Sequence, residues 1–435
     1  MPKTFLVEPG GKLDGGIRVP GDKSISHRSI ILGSIAEGVT RVSGFLEGDD
    51  ALATMDAFRA MGVRIEGPDQ GRAIVHGVGK QGLAAPRNVI DCGNSGTSMR
   101  LLAGLLVGQK WAAELTGDSS LRSRPMNRVA LPLRAMGARI ETAENGRPPL
   151  RIGPAENLRG IEYAMPVASA QVKSALLLAG LYAAGRTCVI EPQPTRDHTE
   201  RMLEAFAYPL LREGKRVCIE GGGRMKAAHI QVPADISSAA FFLVGASIAP
   251  GSDIILHEVG VNPTRTGVIE ILRLMGADIT LQSPRMLGGE PVADLRVRYA
   301  RLHGVQIPEP LVPLAIDEFP ALFIAAANAE GTTVLTGAHE LRVKESDRIQ
   351  VMADGLQALG VRASATEDGM RIEGSAYHGA TIESQGDHRI AMSFAMAALR
   401  AQSRIEIRDC ANVATSFPGF AKSAALSGLL LRESD

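Results

Sequence analysis

One kind of segment recurs six times along this chain, and it restricts the possible folds more than any other feature. Each copy has a short polar opening, then an apolar helix-like run rich in small residues, then in most copies glycine. The copies are "GDKSISHRSIILGSIAEG" from Gly21, "CGNSGTSMRLLAGLLVG" from Cys92, "VASAQVKSALLLAGLYAAG" from Val167, "VPADISSAAFFLVGASIAPG" from Val232, "AIDEFPALFIAAANAEG" from Ala315 and "GDHRIAMSFAMAALRAQ" from Gly386. Their spacing of roughly 65 to 80 residues exceeds the usual solenoid periods, so the repeat unit is larger than a helix pair. A second pattern lies between many of the openings: a β-like run, a polar turn, an amphipathic helix, and "MGA" or a close variant before another strand. In "ALATMDAFRAM" the stripe Leu52, Met55, Phe58 and Met61 marks a helix with one buried face. The first kind of helix is apolar all round and is expected to be buried.

At 435 residues the chain exceeds one ordinary core, and six units divide most simply into two domains of three. The expected domains are 21–240, and 1–20 with 241–435, the later boundary lying near "VPADISSAAFF" and the N-terminal strand returning to the C-terminal half. The polar helix openings would point together toward a cleft between the domains. Lys plus Arg equals Asp plus Glu at 47 each, so no global field draws nucleic acid or an anionic membrane, and any anion site must be built locally. Cys92, Cys188, Cys218 and Cys410 are scattered, without CxxC pairs or metal-ligand spacing, and read as four free thiols of a reducing compartment. The N-terminus "MPKTFLVEPGGKLDGG" has no apolar signal-peptide core, and no apolar run approaches the ~20 residues needed to span a bilayer. A cytoplasmic location is therefore expected.

"GVGKQG" at Gly77 matches the GxGxxG dinucleotide pattern, but Pro86 follows closely and leaves no room for the helix that the motif requires. P-loop, HExxH and GxSxG sequences are missing. The polar openings say more. In "GDKSISHRS", Lys23 and Ser24 sit near a helix start, and Arg28 lies on the face of Ser24 one turn later. Free backbone N–H groups, the positive dipole end and two cations suit an anion; a cap with a solvated ion pair accounts for this segment equally well. "CGNSGTSMR" offers Asn94, Ser95, Thr97 and Ser98 around Gly96, where backbone can approach a ligand. "ASAQVKS" supplies Ser169 and Gln171. In the C-terminal half, "LRVKESDRIQ" places Lys344 and Arg348 on one face with Glu345 beside them. "AIDEFPAL" sets Asp317 among apolar neighbours, and "GDHR" adds His388 and Arg389. Singly, these are ordinary caps and ion pairs. Together they put carboxylates among cations, as acid–base chemistry on an anionic substrate needs.

In their order these motifs resemble the 5-enolpyruvylshikimate-3-phosphate (EPSP) synthase family over essentially the whole chain. The residues that carry the resemblance are "PGDKSISHR", "GNSGTSMR", "SRP" around Arg124, "SAQVKSA", "TRDHTE", "DEFP", "RVKESDR", "GDHR" and "ATSFPGF". The resemblance implies an α/β fold of two inside-out, barrel-like domains, each of three βαβαββ-type units. It implies transfer of the enolpyruvyl group of phosphoenolpyruvate to the 5-hydroxyl of shikimate 3-phosphate, through a tetrahedral intermediate, by a monomer without metal or cofactor. Lys23, Ser24, Arg28, Ser169, Gln171, Arg196 and Lys344 are implied shikimate 3-phosphate contacts. Arg124, Arg348, Arg389 and the Gly96 backbone are implied phosphoenolpyruvate contacts, and Lys23 and Gln171 touch both. Asn94, Ala170 and Asp317 are further implied substrate-binding positions. For catalysis the expectation is Asp317 as base on the hydroxyl, Glu345 as acid toward carbon, and Lys23 where the substrates meet.

The sequence departs from one branch of that family. Thr415 precedes "SFP" where that branch has Lys, and Ala170, Leu101 and Glu340 replace its Ser, Pro and Asn. "SAQVKSA" and "TRDHTE" instead look like a second branch, some of whose members tolerate glyphosate, which stands as a possible inhibitor. Two other readings are weighed. The sister transferase acting on UDP-N-acetylglucosamine typically uses a mobile-loop cysteine, which "TGDSSLRSRPM" does not contain. A non-catalytic phosphosugar-binding protein would not need Asp317 and Glu345 among cations.

Overall fold

A computed structural model of the chain describes residues 3–434. Its contacts divide the chain into two units, one made of Met1–Asp22 with Pro233–Asp435, the other of Lys23–Val232. The six apolar segments form helices: α1 (Lys23–Ile35), α2 (Gly96–Leu106), α3 (Ala170–Gly180), α4 (Ile236–Ile248), α5 (Phe319–Ala327) and α6 (His388–Ala397). Every residue of α4 and of α5 is buried, as all-round apolar character requires. Small residues let these helices meet backbone to backbone. A Cβ on Gly104 of α2 would lie 2.2 Å from the Ala175 carbonyl oxygen of α3.

The amphipathic helices end alike, and "MGA" is the reason. After Asp49–Ala60, Asn127–Ala135 and Gly267–Leu274, the methionines Met61, Met136 and Met275 are buried, and the glycines Gly62, Gly137 and Gly276 take φ of +86°, +93° and +94°. The next N–H then reaches back to the last turn, Val63 to the Phe58 carbonyl at 3.0 Å, Ala138 to Leu133 at 3.1 Å and Ala277 to Leu272 at 2.9 Å. This is the Schellman closure, and it turns the chain into the following strand.

One complete repeat runs strand Ile90–Asp91, α2, strand Ala113–Thr116, helix Asn127–Ala135, then strands Arg139–Ala143 and Arg147–Gly153. The first two strands pair in parallel across the helix, and the last two continue the sheet antiparallel. The described residues form six such sheets, each with its strands in open order. Three of them are completed by distant chain, one by Asp14–Ile17 in parallel with Asp253–Gly260. His229–Gln231 pairs in parallel with Glu37–Ser43, and Thr4–Gly11 lies antiparallel between Ile405–Arg408 and Leu429–Ser434. One sheet has three strands, with isolated bridges His303 to Glu330 and Gln306 to Val334 where the leading strand would stand.

Two sequence expectations are settled locally. "GVGKQG" begins in strand Arg72–Val78 and leads into no helix before α2; Lys80 donates instead to the Leu181 carbonyl at 2.7 Å, at the C-terminal end of α3, over the rings of Tyr182 and Tyr208. The expectation of four free thiols fails for two of them. Cys188 and Cys218 face each other across the antiparallel register of Arg186–Ile190 and Arg216–Glu220 and form a disulfide, while Cys92 and Cys410 are buried thiols. Among the described residues no helix is long and apolar enough to cross a membrane.

Candidate active site

The N-terminal turns of α1, α2 and α3 gather most of the expected residues of the Lys23–Val232 unit. Lys23 opens α1 and pairs with Asp50, in the first turn of helix Asp49–Ala60. Arg28, on the next turn of α1, is buried, and its guanidinium donates to Thr199 Oγ1 at 2.7 Å, Ser174 Oγ at 2.8 Å and the Ser24 carbonyl at 3.0 Å. Beside it His27 accepts or donates at Nδ1 with Thr54 Oγ1 at 2.7 Å. Burial first, then the charges of Lys23 and Arg28, holds His27 well below the ordinary histidine pKa.

The start of α2 is built around Gly96. Ser95 caps the helix, accepting from Ser98 N at 3.1 Å. Asn94 ties two elements together, donating to Asp118 Oδ2 at 2.7 Å and accepting from Arg124 Nη2 at 2.7 Å. A Cβ on Gly96 would lie 2.8 Å from Arg100 Nη1 and 3.4 Å from Arg124 Nη1, so the absent side chain makes room for two guanidinium groups. Arg100 in turn donates to Gln171 Oε1 at 2.6 Å, and Gln171 Nε2 donates to Thr97 Oγ1 at 3.0 Å. Ser169 caps α3, with Ala170 as its first residue. Arg196 lies in the half-buried loop before helix His198–Ala205. That loop and helix are fastened to α3 by Lys173, fully buried between Glu200 at 2.6 Å and Glu191 at 3.0 Å.

The other unit places Asp317, Lys344, Glu345, Arg348 and Arg389 in one ion network. Arg348 is 1% exposed and starts helix Arg348–Ala358. It donates to Asp387 at 2.8 and 3.3 Å and to Glu345 Oε2 at 2.6 Å, while its Nη1 stands 3.6 Å from Asp317 Oδ1. Burial alone would lower the Arg348 pKa, but Asp387, Glu345 and Asp317 raise it further. Burial pushes the Asp387 carboxyl up, and Arg348 and His388 together more than reverse this. Lys344 Nζ lies 3.3 Å from Asp317 and 3.7 Å from Glu340. Arg389, on the first turn of α6, donates to the Asp317 carbonyl at 3.0 Å. Asp317 therefore stands among three cations, not in the apolar setting that its sequence neighbours suggested. The apolar neighbours Phe319 and Pro320 turn into the buried helix α5, and Asp317, left outside it, meets charges from distant segments.

The sequence profile of the EPSP synthase (3-phosphoshikimate 1-carboxyvinyltransferase) family matches residues 7–423. The chain belongs to this family. It is 68% identical over 426 residues to the 3-phosphoshikimate 1-carboxyvinyltransferase of Methylococcus capsulatus, with 98% of each chain covered. It is 65% identical over 429 residues to the protein of that name from Nitrosococcus oceani, covering 99% of this chain and 97% of the other. A solved structure of EPSP synthase from Acinetobacter baumannii matches with a TM-score of 0.89 and 57% identity, over 100% of both chains. The α/β fold is the one seen in that EPSP synthase structure.

The positions at which the sequence departs from one family branch are now placed. Leu101 is fully buried in α2, Thr415 is buried with its hydroxyl donating to the Asn412 carbonyl at 2.7 Å, and Glu340 shares Lys344 with Asp317. Sequence reasoning missed Arg100, Asp50, Lys173 and Asp387. Arg100 closes the very "GNSGTSMR" run that was singled out, and its spacing of four from Gly96 put it on the same helix face. No comparable signal pairs Asp387 with Arg348 across 39 residues.

Proposed function

We propose that this chain carries out the reaction for which its family is named, the transfer of the enolpyruvyl group of phosphoenolpyruvate to the 5-hydroxyl of shikimate 3-phosphate. The observation that carries this reading is the sharing of one buried guanidinium, Arg348, by two carboxylates, Asp317 and Glu345, with Lys344 and Arg389 beside them. Addition needs a base on the hydroxyl and an acid on carbon, both close to a dianionic substrate. In this reading Asp317 takes the proton of the 5-hydroxyl as its oxygen attacks C2 of phosphoenolpyruvate, and Glu345 protonates C3 to a methyl group. The tetrahedral ketal phosphate then returns a methyl proton to the Glu345 carboxylate as its C2–O bond to phosphate breaks, restoring the double bond, and phosphate leaves with the proton that Asp317 took. No step of this scheme calls for a metal or organic cofactor.

Phosphate and carboxylate groups of both substrates need many donors, since one charge-assisted hydrogen bond contributes only ~1.5–3 kcal/mol. Lys23, Ser24, Arg28, Ser169, Ala170, Gln171, Arg196, Asp317 and Lys344 are assigned to shikimate 3-phosphate. Asn94, Gly96, Arg124, Arg348 and Arg389 are assigned to phosphoenolpyruvate, with Lys23 and Gln171 touching both. The assignment requires the two half-sites to face one cleft, which closes to keep water from the intermediate. It also takes each unit as an inside-out, barrel-like arrangement of three open sheets around three helices, in a cytoplasmic monomer. "SAQVKSA" and "TRDHTE" support placing the chain in the second family branch, with glyphosate as an inhibitor.

Phosphate release from phosphoenolpyruvate tests the reading. Release with shikimate 3-phosphate and none with UDP-N-acetylglucosamine is expected. Release with the nucleotide sugar alone would assign the sister reaction, and none with either would leave a binding protein.

A further inference from the structure

The run "NPTRTG" from Asn262 belongs to no substrate assignment, yet its arginine is one of the most enclosed charges in the protein, 3% exposed. Arg265 donates to Asp22 Oδ2 at 3.1 Å, Asp235 Oδ1 at 3.3 Å and Ser237 Oγ at 2.6 Å, and lies 3.8 Å from Glu318 Oε1. Asp22 is the last residue before the chain passes into Lys23–Val232, and Asp235 follows closely on its return at Pro233. The two crossing segments also bond to each other, Asp22 N–H to the Pro233 carbonyl at 2.8 Å and Asp235 N–H to the Pro20 carbonyl at 2.9 Å. One guanidinium thus takes an aspartate from each crossing.

Its third carboxylate leads to the reaction centre. Glu318 is buried, accepts from the Ser237 hydroxyl, and lies 3.6 Å from Arg389 Nη1, the same nitrogen that donates to the Asp317 carbonyl. Arg389 is therefore held between Glu318 and the position where an anionic substrate would bind. If Arg265 were lost, Arg389 would be the remaining ion-pair partner of Glu318 among the described residues, and a buried carboxylate grips its last counterion hard. We propose that Arg265 is a positioning residue for phosphoenolpyruvate: it neutralises Glu318, so that Arg389 stays available to the substrate, and it fastens both chain crossings to the same centre. This rests on the reading that Arg389 meets phosphoenolpyruvate.

The test uses the full-length enzyme as Arg265→Gln, Arg265→Lys, Glu318→Gln and the Arg265→Gln/Glu318→Gln double variant. Arg265→Lys keeps the charge and guards against a Gln variant that does not fold. KM for each substrate, thermal midpoint and direct calorimetric titration with phosphoenolpyruvate are measured. Arg265→Gln should raise KM and Kd for phosphoenolpyruvate by about tenfold, the worth of one charge-assisted hydrogen bond, and leave shikimate 3-phosphate within about twofold. Arg265→Lys should show a smaller shift in the same direction. The double variant should return phosphoenolpyruvate binding to within about twofold of wild type while its thermal midpoint stays low, because the carboxylate that captured Arg389 is gone. A purely structural role predicts the reverse: lowered midpoints with unchanged phosphoenolpyruvate constants, or a double variant worse than either single one. Either result overturns the proposal. A wild type that titrates with phosphoenolpyruvate but releases no phosphate would instead defeat the reading of the reaction, and the titrations of the variants would still decide the role of Arg265.

Discussion

Asp317 shows what a residue inherits from its surroundings. With Lys344 at 3.3 Å and Arg348 at 3.6 Å its carboxylate is oriented by two cations, and in the proposed reaction it is the base. Asp317→Asn should bind shikimate 3-phosphate nearly as well as wild type, with turnover lower by ~10²–10⁴-fold, the usual contribution of a positioned base. Turnover within a few-fold of wild type would remove Asp317 from that role. Gly96 makes a second residue-scale prediction. A methyl group there meets Arg100 Nη1 and Arg124 Nη1, the movable ends of two long side chains and no rigid backbone wall. Gly96→Ala should push the Arg100 guanidinium aside, bring the methyl into contact with that of Arg124 and narrow the space beside them. Glyphosate, longer than phosphoenolpyruvate, should weaken by roughly tenfold more than the substrate does. The ratio of its inhibition constant to the phosphoenolpyruvate KM, taken on one preparation, reads this; an unchanged ratio would show that Gly96 does not set the length limit.

At the scale of the element, the six buried helices were legible because two independent signals coincided, an all-round apolar run and a polar opening of the kind that caps a helix. The amphipathic helices were legible for the same kind of reason, and "MGA" or "MGV" marked where three of them stop. The partners were harder to read. Thr4–Gly11 reads as a strand, but its place between Ile405–Arg408 and Leu429–Ser434 depends on contacts far apart in sequence. Cys188 and Cys218 looked like two separate thiols until strand register set them opposite. Arg265 and Asp387 escaped because a counterion is chosen in space, and the spacing of charges along a chain carries no record of it. Helix α1 gives a prediction of its own. Its buried His27 stays neutral in the folded state, with its pKa well below 6.5, whereas the unfolded chain takes up that proton as pH falls through 6.5. The unfolded state then binds more protons, so stability declines below pH 6.5 by up to about 1.4 kcal/mol per pH unit from this one group. Denaturant titrations from pH 7 to 5 should show that slope in wild type and a flatter one in His27→Gln. Equal slopes would mean that His27 titrates alike in both states.

At the scale of the molecule, the substrate assignments draw on both units: Lys23, Arg28 and Ser169 from one, Asp317 and Lys344 from the other. Shikimate 3-phosphate should therefore draw them together, and small-angle scattering should record a smaller radius of gyration when it binds. An unchanged radius, with occupancy confirmed by calorimetry, would count against a shared cleft. The route of the chain has a consequence for synthesis as well. Lys23–Val232 is continuous and holds its own strands, so it can condense as soon as it has left the ribosome. Thr4–Gly11 emerges before it and must wait for Ile405–Arg408 and Leu429–Ser434, which are made long after it. Until Ile405–Arg408 is made, that strand is an open edge, the kind of surface that recruits the wrong neighbour. The inserted unit can be finished early, and the unit around it only after Leu429–Ser434 has been made.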